Sequence, residues 1–275
     1  MIVKTGTEAP PDERRRSMAT AIDSTAVVSP RAELGAGVHV GPYAIIEDNV
    51  VVGDRTVIGP HAILQGWTDI GEDCKIFAGA VIGGEPQDLK YDGATSRVRI
   101  GRRNVIREYV TIHRATEEGG VTAIGDDNLL MAYVHVAHNC VIGDHVILAN
   151  AVNLAGHVEI ENHAILGGVT PVHQFVRIGR HAFIGGSSRV SQDIPPYLRC
   201  AGNPLRIVGL NSVGLMRRGF PAEVVVELKR AYRLIYRSDL NVSQAVERIR
   251  SELKPFPEIS TFLQFIEISE RGITK

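Results

Sequence analysis

Four histidines, His135, His138, His157 and His173, have the type and spacing that suit chemistry. Imidazole titrates near neutrality and serves as a general base or a metal ligand. His138, His157 and His173 follow Val136, Leu154 and Val172 by two, three and one positions, and those three aliphatics are themselves eighteen apart. If eighteen residues close one coil of a repeat, the imidazoles share one side of three successive coils, within roughly two strand spacings of each other. His135 ends the preceding hexad and lies near His138. His39, His61, His145, His163 and His181 also fall in the repeat, mostly at turn positions, and read as solvated. Two uses of the cluster compete. A metal site needs three convergent imidazoles plus a water. Base catalysis on a hydroxyl needs one histidine near the acceptor, with polar groups around it.

The repeat that would position these rings is explicit. An aliphatic residue returns every sixth position from Ile22 to Ile82, again at Ile100, Ile106 and Ile112, and from Ile124 to Val190. None of these positions is polar. The fourth residue after each is usually small, as at Ala26, Ala32, Val38, Ala44, Val50, Thr56 and Ala62. Neither the helical nor the simple strand period fits, whereas a parallel β-helix does. Each hexad is a short strand plus a turn, and the stack of coils buries what no single coil can. Gly37, Asp48-Asn49, Gly79 and Asp127-Asn128 mark places where the backbone needs a positive φ.

The bulk numbers exclude other classes. A net charge of −1 argues against a nucleic-acid partner. Cys74, Cys140 and Cys200 have neither metal spacing nor an even count, and read as core filler in a reducing compartment. No stretch of eighteen apolar residues is present, so no transmembrane segment is expected. Residues 1–20 precede the repeat. They include Pro10-Pro11 and Arg14-Arg15-Arg16 without an apolar run behind them, and read as a disordered tail with Met18 the natural start.

The repeat domain spans residues 21–196, interrupted by loops at 83–99 and 115–123. Residues 197–275 form a helical domain. Val224, Leu228, Ala231, Tyr232 and Ile235 trace one helix face behind Pro221. Asn241 and Gln244 make a capping box, and a last helix follows Pro257. The expected fold is mainly β: a parallel β-helix of hexapeptide repeats followed by a small C-terminal α-helical bundle that caps the open edge.

Several longer motifs occur in order. They are Gln87-Asp88-Leu89-Lys90-Tyr91, Ile112-His113-Arg114, Asp127-Asn128-Leu129-Leu130-Met131, the His135 to His138 run, Leu154 to His157, Val172-His173-Gln174-Phe175, Gln192 to Tyr197, and Arg217-Arg218-Gly219-Phe220. Together they resemble the acyl-carrier-protein–UDP-N-acetylglucosamine O-acyltransferase family, from Ile22 to the C-terminus. The resemblance implies a left-handed coil and the first step of lipid A synthesis in the cytoplasm, with no metal or organic cofactor. The partners it implies are a 3-hydroxyacyl carrier protein and UDP-N-acetylglucosamine.

The same resemblance assigns residues. His138 is the general base on the sugar 3-hydroxyl, and the Gly156 N–H steadies the oxyanion. Gln87, Asp88, Lys90, His135 and His157 contact the sugar. His173 and Gln174 lie toward the acetamido and nucleotide side. Asn211, Arg217 and Arg218 hold the nucleotide end, where arginine forks suit a diphosphate. Gly186 sets acyl-chain length, and glycine there goes with a long chain. Sites lie between subunits of a homotrimer, so Asp88 and His138 of one site can come from different chains.

Two positions depart from the family pattern. Asn139 stands where an Asp usually follows the catalytic histidine, and Val213 replaces a carboxylate two residues after Asn211. An amide can accept the ring N–H, but it cannot stabilise imidazolium as a carboxylate would. Three alternatives stay open at this point: an N-acyltransferase acting on UDP-3-O-acyl-glucosamine, a metal-dependent hydratase of the carbonic anhydrase kind, and a non-catalytic scaffold.

Overall fold

The computed structural model describes residues 19–275. The tail expected at the N-terminus lies almost wholly outside them. Short parallel strands wind into a three-faced prism. The first face has eleven strands, and the second and third have eight each. Away from the two loops each strand pairs with the one eighteen positions on: Ala21 with His39, Val27 with Ile45, Glu33 with Val51.

The aliphatic of each hexad points inward. From Val40 to Val190 every one is at most 3% exposed. A fully buried Ile or Leu contributes about 1.5–3 kcal/mol, so this single column supplies most of the driving force. Ile22, Val28 and Leu34 are the exceptions, because no described coil lies beneath them. Cys74 and Cys140 are fully buried at the small inward position, and all three cysteines are free.

From Leu34 to Ile184 the third residue after each inward aliphatic takes a left-handed backbone, except after Ile82 and Ile112, where the loops leave. Gly37, Asn49, Gly79 and Asp127 meet this demand as expected, with φ of 69°, 59°, 68° and 59°. Most corners instead carry side chains for which that conformation costs about 1–2 kcal/mol. Stacking between coils offsets it. Tyr109 lies 5.3 Å from Tyr133, Tyr43 lies 5.1 Å from His61, and Arg55 grips Asp73 through two 2.7 Å hydrogen bonds.

Two loops leave the coil, both between the second and third faces. Ile76 pairs with Ile106, thirty positions on instead of eighteen, so twelve residues are extra there. Ile106 pairs with Leu130, twenty-four on, leaving six extra in the second loop. The loops are tied together: Gly119 N–H donates to Thr95 O at 2.8 Å, and Thr95 N–H to the Glu118 carboxylate at 2.7 Å.

After Pro196 the chain adds two strands that the periodicity does not show. Leu198–Ala201 pairs parallel to Phe183–Ile184, and Arg206–Leu210 returns antiparallel as the last strand of the first face. Helices follow at Ser212–Arg217, Ala222–Tyr236, Val242–Glu252 and Pro257–Glu267. The Asn241–Gln244 capping box is formed, and Pro257 takes the first turn of its helix. Leu215, Leu228, Ile249 and Phe262 bury the bundle's core. No helix among the described residues is long and apolar enough to cross a membrane.

Candidate active site

A cleft of about 650 Å³ opens where the two loops leave the coil. Gln87, Asp88 and Lys90 line it from the first loop. His135, His138, Gly156 and Gln174 line it from the coil, with Asn153 and Pro171 beside them. The repeat explains the convergence. His138, Gly156 and Gln174 each stand two positions after an inward aliphatic, so they form one column. Thr111, His135, Asn153 and Pro171 form the next, and pair directly in register.

His138 is the best-placed base. Its side chain is 12% exposed, and its Nε2 lies 3.8 Å from an Asp88 carboxylate oxygen. Its Nδ1 is 2.9 Å from Asn139 Oδ1. The Asn139 amide cannot be reversed. Its Oδ1 accepts the Thr116 backbone N–H at 3.2 Å, and its Nδ2 donates to both Glu117 carboxylate oxygens at 2.8 Å. A backbone N–H only donates and a carboxylate only accepts. Nδ1 of neutral His138 therefore carries the proton, and Nε2 keeps its lone pair toward the cleft. Asn139 itself sits at φ 60°, a corner conformation that Asn and Asp tolerate better than most residues.

Burial disfavours the charged form of the neighbouring rings. Burial lowers the His135 pKa, helped by His138, and its Nδ1 meets Thr111 Oγ1 at 2.7 Å. His113, 5.0 Å away edge-on, is pushed down to about 4 by burial and by His135 and His138. Burial and His138 also lower His157, against the pull of Glu117 and Asp88. His157 lies 5.2 Å from His138, nearly perpendicular, and stacks on Phe175 at 4.7 Å. Among the described residues no three His, Cys, Asp or Glu side chains are grouped as a metal would need, so one chain alone offers the hydratase alternative no ligand set.

Gly156 is where the cleft is tightest. A Cβ added there would lie 2.3 Å from His138 Cε1. Its N–H has no acceptor among the described residues, and so is free for a ligand oxygen.

Other expected site residues stand elsewhere. His173 is exposed, its Nδ1 3.1 Å from Gln174 O, and it does not line the cleft. Asn211, Arg217 and Arg218 line a second pocket of about 430 Å³ against the first face, with Arg199 and Val213. There Asn211 caps the helix Ser212–Arg217, and Arg218 donates to His163 Nδ1 at 2.8 Å. Gly186 lines neither pocket. Its added Cβ would meet Gly168 O at 3.1 Å, at the corner between the first and second faces.

Three readings from sequence need correction. Asp88 and His138 meet within one chain, because the first loop folds back over its own coil. His181 is not solvated: at 8% exposure it is packed between His163, Tyr197 and Phe220. His163 is half-buried in the same stack. Sequence reasoning also passed over Glu117, Thr111, Asn153 and Arg199. Thr111 and Asn153 share the register of His135 and could have been found by counting from it.

The comparisons with known proteins bear on the family and the fold. Residues 193–274 match the family described as Udp N-acetylglucosamine O-acyltransferase, domain 2, and residues 31–66, 49–84 and 122–156 match the bacterial transferase hexapeptide repeat. The chain is 49% identical over 255 residues to an acyl-[acyl-carrier-protein]–UDP-N-acetylglucosamine O-acyltransferase of Thermodesulfovibrio yellowstonii, covering 92% of this chain and 99% of that one. It is 56% identical over 253 residues to the enzyme of that name from a Sulfurihydrogenibium species, covering 92% and 93%. Among solved structures, LpxA from Acinetobacter baumannii aligns with a TM-score of 0.90 at 41% identity, over 92% of this chain and 99% of that one. LpxA from Bacteroides fragilis, a UDP-N-acetylglucosamine acyltransferase, aligns with 0.91 at 43%, over 92% and 100%. The fold is accordingly a left-handed parallel β-helix with a small helical C-terminal part. With such identities along nearly its whole length, the chain belongs to the acyl-[acyl-carrier-protein]–UDP-N-acetylglucosamine O-acyltransferase family.

Proposed function

We propose that this chain transfers a long 3-hydroxyacyl group from acyl carrier protein to the 3-hydroxyl of UDP-N-acetylglucosamine, opening lipid A synthesis in the cytoplasm. The observation that carries the mechanism is the bare Nε2 of His138, turned to the cleft while Nδ1 is held by Asn139. His138 takes the hydroxyl proton as the sugar oxygen attacks the thioester carbonyl. The Gly156 N–H receives the negative charge on the carbonyl oxygen of the tetrahedral intermediate. Collapse breaks the C–S bond, and His138 returns its proton to the departing thiolate of the carrier. The ester is formed, and the imidazole is neutral again.

Gln87, Asp88, Lys90, His135, His157 and Gln174 hold the sugar around this base. Asn211, Arg217 and Arg218 hold the nucleotide, and Gly186 leaves room for the acyl chain. These last groups stand on a different face from His138. A threefold assembly would set the nucleotide pocket of one copy beside the cleft of the next. Exposed Val27, Tyr43, Ile45, Tyr109, Tyr133 and Val169 on and beside the second face give such an assembly an apolar contact.

The test is direct. Purified protein is incubated with UDP-N-acetylglucosamine and a panel of 3-hydroxyacyl carrier proteins, and the product is read by mass. One 3-O-acylated sugar nucleotide is expected. No product with any carrier, or a product with the acyl group on nitrogen, overturns the proposal. Mixing His138→Ala copies with Arg217→Ala/Arg218→Ala copies tests the shared site: mixed assemblies regain activity that neither parent shows.

A further inference from the structure

Asn139 raises a problem in the mechanism above. Proton transfer leaves His138 an imidazolium, and a neutral amide gives that charge little support. The structure places a carboxylate one step behind. Glu117, on the second loop, receives both Nδ2 contacts of Asn139 at 2.8 Å, while Oδ1 of the same amide faces the His138 ring at 2.9 Å. The loop holds Glu117 there through Thr116, whose N–H and hydroxyl both reach Asn139 Oδ1 and whose hydroxyl also lies 3.1 Å from Glu117 Oε2. The next residue, Glu118, turns away to bind the Thr95 N–H.

We propose that Glu117 is a positioning residue for the acyl transfer, which holds the His138 ring in its reactive tautomer and stabilises the imidazolium through the polarised Asn139 amide. This rests on the reading of His138 as the base. The carboxylate missing from the corner is supplied by the loop instead. A hydrogen-bonded amide conducts polarisation: as charge grows on the ring, Oδ1 draws density and Nδ2–H donates more strongly to Glu117. Glu117 stays charged. Burial opposes its ionisation, but hydrogen bonds from Asn139, its own backbone and Thr116, with the facing His157, outweigh that and hold its carboxyl below the usual range. The other titratable groups facing His138 are Asp88 across the cleft, His157 from the next coil, His135 from its own coil and His113 from the coil below.

The test uses Glu117→Gln, which can still accept from Asn139 and so removes the charge alone. Two readouts are taken: the His138 pKa by NMR titration of its ring C–H signals, and kcat and KM across pH. Acting across the Asn139 amide in partly screened medium, the lost charge lowers the His138 pKa by about one unit. The acidic limb of kcat/KM moves down with it, and kcat near neutrality falls about five- to tenfold with KM for the sugar nucleotide unchanged. Glu118→Gln, which removes the same charge from the same loop, leaves both readouts as in the parent. Asn139→Asp supplies the decisive background. There the two carboxylates repel, so adding Glu117→Gln raises kcat/KM instead of lowering it. A His138 pKa unmoved by Glu117→Gln, or an equal loss in both backgrounds, overturns the proposal. If the parent protein fails to transfer acyl groups at all, the functional reading falls, while the NMR titration still decides whether Glu117 acts on His138.

Discussion

Replacing Gly156 with Ala probes the cleft at its tightest point. The added Cβ would stand 2.3 Å from His138 Cε1, 2.5 Å from Nε2 and 3.0 Å from Nδ1. Ordinary contact begins near 3.4 Å, so ring and Cβ must separate by about 1 Å. The backbone does not yield easily. Gly156 O accepts the Phe175 N–H at 3.2 Å, and the adjoining His157 N–H donates to His138 O at 3.0 Å. The ring moves instead, toward the open cleft, and leaves its 2.9 Å contact with Asn139. A misplacement of about 1 Å in a reacting group costs about 100-fold, or about 2.7 kcal/mol of barrier. Alanine keeps the backbone N–H, so loss of the oxyanion donor is not the cause. The assay is kcat at saturating sugar nucleotide and acyl carrier protein, with thermal unfolding as a check on the fold. A Gly156→Ala protein that turns over within threefold of the parent refutes the packing argument.

Three further outcomes follow from the same geometry. His138→Ala removes the base and lowers kcat by about 100- to 10,000-fold while circular dichroism stays that of the parent; retained transfer would remove the mechanism. His181 is held down to about 4, first by burial and then by His163, Arg218 and Arg180, so the unfolded chain binds its proton more readily. Its contribution to stability is therefore complete above the unfolded value of about 6.5 and is lost as pH falls from there toward 4. His181→Phe keeps the stack with Tyr197 and His163, removes a buried Nδ1 that has no partner, and flattens the fall of the melting temperature over that window. An unchanged slope would sink the assignment. Leu148→Ala, in a fully buried position, costs about 2–5 kcal/mol in denaturant unfolding, and a smaller loss would mean the coil collapses around the gap.

The coil was legible because its period is a packing requirement. Each inward site admits one aliphatic, and Ile142, Leu148 and Leu154 could not be polar without leaving a buried group unpaired. The same arithmetic put His138, His157 and His173 on one side of three successive coils, whereas the column of His138, Gly156 and Gln174 went unread. It failed where the chain leaves the repeat. Pro195-Pro196 suggested an end, yet Cys200 still pairs with Ile184, because a strand pair at an edge needs hydrogen-bonding backbone and not the hexad pattern. Left-handed corners were read from glycine and asparagine. Tyr109, His163 and Phe175 hold them as well, since stacking between coils is invisible in a single hexad. Glu117 had no signal in the period, because the second loop sets its place.

The phase of the two insertions against the repeat explains why chemistry gathers at one corner. Both leave after second-face strands, Val81–Gly84 and Thr111–His113, and return to the third face at Arg97–Ile100 and Val121–Ile124. Both loops therefore start at the corner that also carries Asn139, His157 and Phe175. A rigid coil sets His138, Gly156 and Gln174 on three successive coils, each beside the next, while the loops add side chains the hexad cannot accommodate. Asp88 comes from the first loop and Glu117 from the second. The corner backbone requires only that residue 139 tolerate a left-handed φ, and either Asn or Asp does. With the amide there, the nearest carboxylate behind the ring belongs to the second loop and not to the repeat. The division of labour is physical: the period sets where His138 stands, and the loops set which carboxylates face it.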